Sequence, residues 1–383
     1  MNSSNTKLMS YTESKAHYEI LDGLRGVAAV MVVCFHLCEA HSGGNHLEQL
    51  INHGYLAVDF FFVLSGFVIG YAYDDRWGTK MNLSGFFKRR LVRLQPMVII
   101  GMLIGGLLYY FQSTQLFPAI SETPIWKMLI VMLIGCTLLP VPLSLDIRGW
   151  WEMHPLNGPG WSLFYEYIGN ILYALFIRKF SKTALSILVF IAGCATIHYV
   201  LTCPSGDMVG GWALEPTQIR VGFTRLMYPF FGGLLLSRVC TPKHYKHSFL
   251  VCSLLVVIIL SIPRIGGADN FWMNGLYESF CIIFLFPFIV YLGASGEVTG
   301  KLGSKTCKFL GDISYPIYIT HYPFIYYYTG WVYDNKLTMQ EALPGALLTL
   351  FICIAVAYAS LKLYDEPVRV WLKNRFLMKK VKP

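Results

Sequence analysis

Arg25, in LDGLRG, and His36, in VVCFHL, stand eleven residues apart in the first membrane-length apolar stretch of the chain. At about 100° and about 1.5 Å per residue, they share one helix face and lie roughly 16 Å apart along its axis. A charged and a titratable side chain within a membrane segment are each costly, so a functional site facing the protein interior is expected. A histidine held there can take a proton from a reacting hydroxyl. The alternative is an Arg25 that snorkels to the headgroups and a His36 that only packs.

Five further groupings accompany this pair. FFKRRLVRLQP crowds Arg89, Arg90 and Arg93 at the start of the third apolar stretch. Arg90 and Arg93 are three apart and adjacent on a helix; they either anchor topology or, since their guanidinium forks suit phosphate oxygens, form an anion site for a phosphorylated ligand. Lys88 and Arg89 read as topology anchors or lipid contacts. In GYLAVDFFFVLSGF, Asp59 either orients a histidine or arginine on a neighbouring helix or faces water, and Ser65 and Gly66 read as close-packing residues. GPGWSLFYEYIGN sets Ser162 and Glu166 four apart on one face. A glutamate there requires a partner, for which Arg25, Arg93 and Arg225 are the candidates. GDISYPIYITHYP sets Ser314 two helical turns before His321, either a second chemical histidine or a core residue. In YDEPVRVW, Glu366 and Arg369 are expected to pair just past the last apolar stretch.

The elements that must position these residues follow from composition. Of 383 residues 55% are hydrophobic, and the mean hydropathy is +0.50, which leaves little polar sequence for a soluble domain. Apolar runs near the ~20 residues that cross a bilayer occupy 21–39, 55–72, 97–112, 125–142, 161–177, 184–200, 222–237, 248–263, 275–294, 309–330 and 342–361. The fold class is therefore all-α, a polytopic transmembrane helical bundle. The polar residues 1–20 lack the apolar core of a cleavable signal, so the first span is expected to be retained. Ten cysteines without a CxxC pair suggest neither a zinc site nor a disulfide framework.

The net charge of +9 does not indicate a nucleic-acid partner, because lysine and arginine concentrate in short loops beside the spans, as orientation signals do. They cluster at 76–93, 178–182, 238–246, 301–308 and from Lys362 onward, and are lacking at 40–54 and 113–124. Alternation between basic loops works except between Arg93 and Arg178, where three candidates lie. One is expected to be a half-crossing or a buried non-spanning helix, first of all 125–142, which ends in Pro140 and Pro142. Ten full crossings with both ends cytoplasmic result. The division is a cytoplasmic segment 1–20, a membrane domain 21–363 and a basic cytoplasmic tail 364–383.

Taken together, LDGLRGVAAVMVVCFH, DFFFVLSGFVI, RRLVRLQP, WSLFYE, RLMYPFFGG, LGDISYPIYITHYPF and YDEPVR, in this order over nearly the whole chain, resemble the acyltransferase-3 family of membrane O-acyltransferases. The resemblance implies a ten-helix bundle in a bacterial inner membrane, an acyl-CoA donor, most simply acetyl-CoA, and His36 and Arg25 as essential residues. It also implies that Arg90 and Arg93 match the family's RxxR motif. Long members carry an esterase-like domain after the helices, which is expected to be absent here because the sequence ends about 20 residues past its last span. The polar stretch DIRGWWEMHPLNGPG departs from the pattern and has no assigned role.

The expected chemistry is acyl transfer to a hydroxyl of a glycan, glycolipid or sugar-bearing metabolite. Arg90, Arg93 and Arg25 are the expected donor-binding residues, and His36, Arg25, Glu166 and His321 the catalytic ones. The roughly 16 Å between Arg25 and His36 is about the reach of the pantetheine arm. His36 either removes the acceptor proton or carries the acyl group itself. A transporter lined by the same residues is the main rival, although no repeat relates the two halves, and a non-catalytic scaffold leaves the intramembrane charges unexplained. Trp150, Trp151, Trp161, Trp212, Trp272 and Trp331 serve either to stack on sugars or as an interfacial belt.

Overall fold

Side-chain caps and prolines set where the helices of this chain begin and bend. Asn82 accepts from Gly85 N and Ser181 from Ala184 N, and Thr338 with Glu341 forms a capping box. The computed structural model describes residues 17–298 and 300–377. Most of the expected segment 1–20, through residue 16, and the end of the expected tail, from 378 on, lie outside the described residues.

The helices in chain order are α1 (Glu19–Ser42), α2 (Ala57–Tyr73), α3 (Leu83–Leu108), α4 (Ala119–Glu122), α5 (Ile125–Cys136), α6 (Gly160–Leu175), α7 (Lys182–Thr202), α8 (Pro216–Val239), α9 (Ser248–Ser261), α10 (Phe271–Phe280), α11 (Phe286–Ala294), α12 (Lys301–Thr320), α13 (Tyr322–Asn335), α14 (Met339–Ser360) and α15 (Glu366–Phe376). π-turns at Cys281–Leu285 and Leu361–Asp365 join α10 to α11 and α14 to α15. Among the described residues six helical stretches are long and apolar enough to cross a membrane, and every span expected from the sequence contains a helix. The molecule is an all-α integral membrane bundle.

Two stretches are not simple crossings. α5 has 12 residues, about 18 Å, short of the ~30 Å hydrocarbon core. It stops where Gln95 Nε2 donates to Cys136 O at 2.5 Å. Residues 137–159 then run back with only a 3-10 turn at Leu143–Leu145, held at Val141 N–Met153 O (2.8 Å) and Met153 N–Trp212 O (2.7 Å). Such backbone is tolerated at membrane depth where protein surrounds it, and α5, like the 14-residue α9, is one of the shorter apolar helices of the bundle. The second is 309–330, expected as one uninterrupted span. It is broken at His321 into α12 and α13, because Pro323 has no N–H to give the carbonyl four residues earlier.

The centre is close-packed. α1 lies along α12, and α2 lies along α8. A Cβ on Gly66 would fall 1.8 Å from Phe230 O, and one on Gly233 would fall 2.0 Å from Val63 O, so these two backbones touch only because both residues are glycine. The same helices share a buried ion pair, Arg225 Nη2 to Asp59 Oδ2 at 2.7 Å, with Arg225 also donating to Tyr55 O and Gly210 O. Asp59 thus orients an arginine and does not face water. With each of the three guanidinium nitrogens hydrogen-bonded, the pair avoids much of the penalty of a buried charge.

Candidate functional site

The helix ends bearing Arg89, Arg238 and Lys301 form one face of the bundle, called here the basic end. From it a cavity of about 320 Å³ runs inward between α1, α2, α3, α6, α12 and α15. Its wall includes Arg25, Ser65, Arg90, Arg93, Ser162, Glu166, Ser314, Tyr318 and Arg369, so four of the six site residues expected from the sequence line one space. His36 and His321 do not line it.

Arg25 is not free: its Nη1 lies 2.6 Å from Asp22 Oδ1. Asp22 also meets His17 Nε2 at 2.8 Å, and the hydrogen bond to this carboxylate raises the His17 imidazole above its ordinary pKa. Asp22 escaped the sequence reading although its i,i+3 spacing to Arg25 was the available signal.

The two arginines of the RxxR pair have separate environments. Arg90 is 4% exposed and its Nη2 lies 2.6 Å from Glu166 Oε1, which also accepts from Ser65 Oγ at 2.6 Å. Glu166 is therefore partnered by Arg90 and not by Arg25, Arg93 or Arg225. Ser65 is a hydrogen-bond donor as well as a packing residue. Arg93, one turn further, makes no ion pair or hydrogen bond among the described residues. It lines both the cavity and an adjoining groove of about 480 Å³ between α3 and α15, with Arg89, Arg369 and Lys373. The expected joint phosphate clamp by Arg90 and Arg93 is thus divided: Arg90 holds Glu166, and Arg93 faces the lumen.

The expected Glu366–Arg369 pair is also replaced. Arg369 Nη2 meets Asp365 Oδ2 at 2.5 Å, and Glu366 meets Lys362 at 2.5 Å. Both are i,i+4 contacts, which long side chains on one helix face make readily.

The histidines lie beyond the inner end of the cavity. Tyr318, on its wall, has its hydroxyl 2.7 Å from Ser162 Oγ and its ring 6.1 Å from that of His321. The His321 and His36 rings stack at 5.7 Å with 26° between planes, and Tyr322 meets His36 edge-on at 4.8 Å. Residues 285 positions apart in sequence thus form one pair. His36 Nδ1 is 2.7 Å from Glu39 Oε2. A carboxylate can only accept, so this nitrogen carries the proton and Nε2 holds the lone pair in the neutral ring. His321 Nδ1 faces the carbonyls of Ile317 and Tyr318 at 3.0 and 2.9 Å, and the same reasoning leaves its Nε2, buried and without a partner, as an acceptor. Each ring thus has an Nε2 lone pair; that of His321 is fully buried, whereas the His36 side chain is 17% exposed. Glu39, three residues after His36, is a functional candidate that the sequence reading missed.

Residues 18–361 match the acyltransferase domain of the acyltransferase-3 family. "Protein 2 in picA locus" of Rhizobium radiobacter is 33% identical over 169 residues, covering 40% of this chain and 80% of that protein. O-acetyltransferase OatA of Staphylococcus aureus is 22% identical over 365 residues, 91% of this chain, which spans 57% of that relative's length. Acyltransferase MdmB of Streptomyces mycarofaciens is 29% identical over 363 residues, 89% of this chain and 88% of MdmB. No solved structure matches. With nearly all of its bundle inside the matched region, the chain belongs to the acyltransferase-3 family and is a membrane acyltransferase.

Proposed function

We propose that the chain moves an acyl group, most simply acetyl, from acyl-CoA to a hydroxyl of a glycan, glycolipid or sugar-bearing metabolite. The observation that carries this reading is the stacked His36–His321 pair, with the Nε2 lone pair of the partly exposed His36 oriented by Glu39, beyond a cavity whose wall holds Arg93, unpaired among the described residues. The name of the O-acetyltransferase relative supports acetyl and oxygen as donor group and acceptor atom.

In this reading the basic end is cytoplasmic, as loop charge expects, in a bacterial inner membrane. Arg93 and the α3–α15 groove receive the anionic nucleotide end, and the cavity takes the thin arm with its thioester toward Tyr318. His36, oriented by Glu39 as a base is by a carboxylate in hydrolytic triads, takes the proton as the acceptor oxygen attacks the thioester carbonyl. The C–S bond breaks and CoA leaves as the thiol once the proton is returned. Glu39 is 33% exposed and His36 17%, so the acceptor can approach from the end opposite the donor.

The test is turnover by the purified chain in nanodiscs with radiolabelled acetyl-CoA, scored as free CoA released and as label in extracted glycans and lipids. Label in a hydroxylated acceptor, lost in His36→Ala at normal abundance, supports the reading. Transfer by His36→Ala within a few-fold of wild type would refute it.

A further inference from the structure

The DIRGWWEMHPLNGPG stretch has no place in the chemistry above, yet it is bound to the backbone beside His321. Pro323 leaves the Ile319 carbonyl without its helical donor. Asn157, fully buried, supplies one: its Nδ2 lies 2.7 Å from Ile319 O. Gln112 Nε2 donates to Pro323 O at 2.8 Å, and Arg148 Nη2 holds Gln112 Oε1 at 2.8 Å. Arg148 is anchored in turn, through Nε to Pro155 O at 2.9 Å and with its guanidinium 3.5 Å over the Tyr326 ring.

Two glycines on one face of α3 admit this strand. A Cβ on Gly101 would fall 2.6 Å from Ile319 O and 2.8 Å from Asn157 Nδ2, and one on Gly105 would fall 2.2 Å from Leu156 O. A side chain at either position would push residues 156–157 off the break. The break matters because His321 is two residues past Ile319, and its Nδ1 rests on the carbonyls of the preceding turn. A change of pitch there would turn the imidazole away from His36.

We propose that Asn157 is a positioning residue for acyl transfer: standing in for the N–H that Pro323 lacks, it fixes the α12–α13 break and so holds the His321 ring against His36. The proposal rests on the reading of that histidine pair as the reacting centre.

Asn157→Asp is nearly isosteric but replaces the donor with an acceptor facing Ile319 O. Pro323→Ala returns a backbone N–H to the same carbonyl and makes Asn157 redundant there. Both single variants and the double variant are compared in nanodiscs by kcat, donor KM and modification of each histidine by diethyl pyrocarbonate, with exposed His244 as internal standard. Each single variant is expected to lower kcat about 10- to 100-fold, the size of a small misplacement, with donor KM within about twofold, because the donor-binding residues are untouched. His321 modification should change several-fold against His244. The double variant should be no worse than the poorer single.

A kcat for Asn157→Asp within about twofold of wild type, unchanged His321 modification, or losses that multiply in the double variant would overturn the proposal. If Asn157→Asp fails to fold, Pro323→Ala and the double variant carry the comparison: equal kcat and equal His321 modification support it, and a further loss in the double overturns it. Modification is read without substrate, so it judges positioning alone, whereas an active His36→Ala would remove the functional reading beneath it.

Discussion

The two arginines of RRLVR should fail in different ways when truncated, although they sit three residues apart on one helix. Arg90→Ala leaves Glu166 with a lost partner at 2.6 Å in a site where the arginine side chain is 5% and the glutamate 17% exposed. Removing one member of a buried pair costs about 3–5 kcal/mol because the other charge stays uncompensated. The remaining bond from Ser65 to Glu166 places this variant at the lower end, about 3 kcal/mol, still a large share of a total stability of about 5–15 kcal/mol. Arg90→Leu with Glu166→Leu removes both charges and should recover most of that loss. Arg93→Ala breaks no pair, so its unfolding midpoint should stay near wild type. Instead it should raise the donor concentration for half-maximal rate roughly 10- to 150-fold, equivalent to about 1.5–3 kcal/mol for one charge-assisted contact. Arg93→Lys should restore only part of this, since an ammonium lacks the bidentate fork. The assays are thermal unfolding in nanodiscs and a donor titration on the same preparations. A stable Arg90→Ala variant impaired only in donor affinity, or an Arg93→Ala variant that melts early with normal donor affinity, would show that the assignment of the two roles is wrong.

Three other outcomes are expected. Glu39→Gln keeps a hydrogen-bonding group beside His36 Nδ1 but removes the charge that favours the protonated ring, so kcat should fall by about 10²- to 10⁴-fold if His36 is the base with donor KM little changed; an unaffected kcat speaks against that role. Gly66→Ala puts a methyl 1.8 Å from Phe230 O and should lower stability by about 1–3 kcal/mol, seen as an earlier melt, whereas a neutral result means the α2–α8 contact is looser than described. His17, which lines the cavity and has its pKa raised by Asp22, stays cationic to higher pH than a free imidazole and loses that charge as pH rises through the raised value. Donor KM should therefore climb with pH over that window in wild type and stay flat in His17→Ala, and identical profiles would remove His17 from the donor site.

Apolar run length and the distribution of lysine and arginine determine a great deal about this protein. They specify an all-α membrane bundle and the placement of its helices, because hydrophobic length and loop charge are properties of contiguous residues. The R-x10-H spacing places Arg25 and His36 on one face of α1 for the same reason. Near neighbours such as Asp22–Arg25 and His36–Glu39 were legible in principle, since helix geometry alone brings i,i+3 residues together. Partnerships across the bundle were not. That Glu166 meets Arg90 and Asp59 meets Arg225 depends on which helices adjoin and how each is rotated, information no single stretch contains. The break at Pro323 was not foreseen although a proline lacking the N–H was its available signal, and Asn157, far away in sequence, is what satisfies the freed carbonyl. The stacking of His36 on His321 exists only because α1 runs along the α12–α13 break. Local pattern determined the elements and half of each contact; tertiary packing chose the other half, because an intramembrane polar group takes its partner from whichever helix the fold sets beside it.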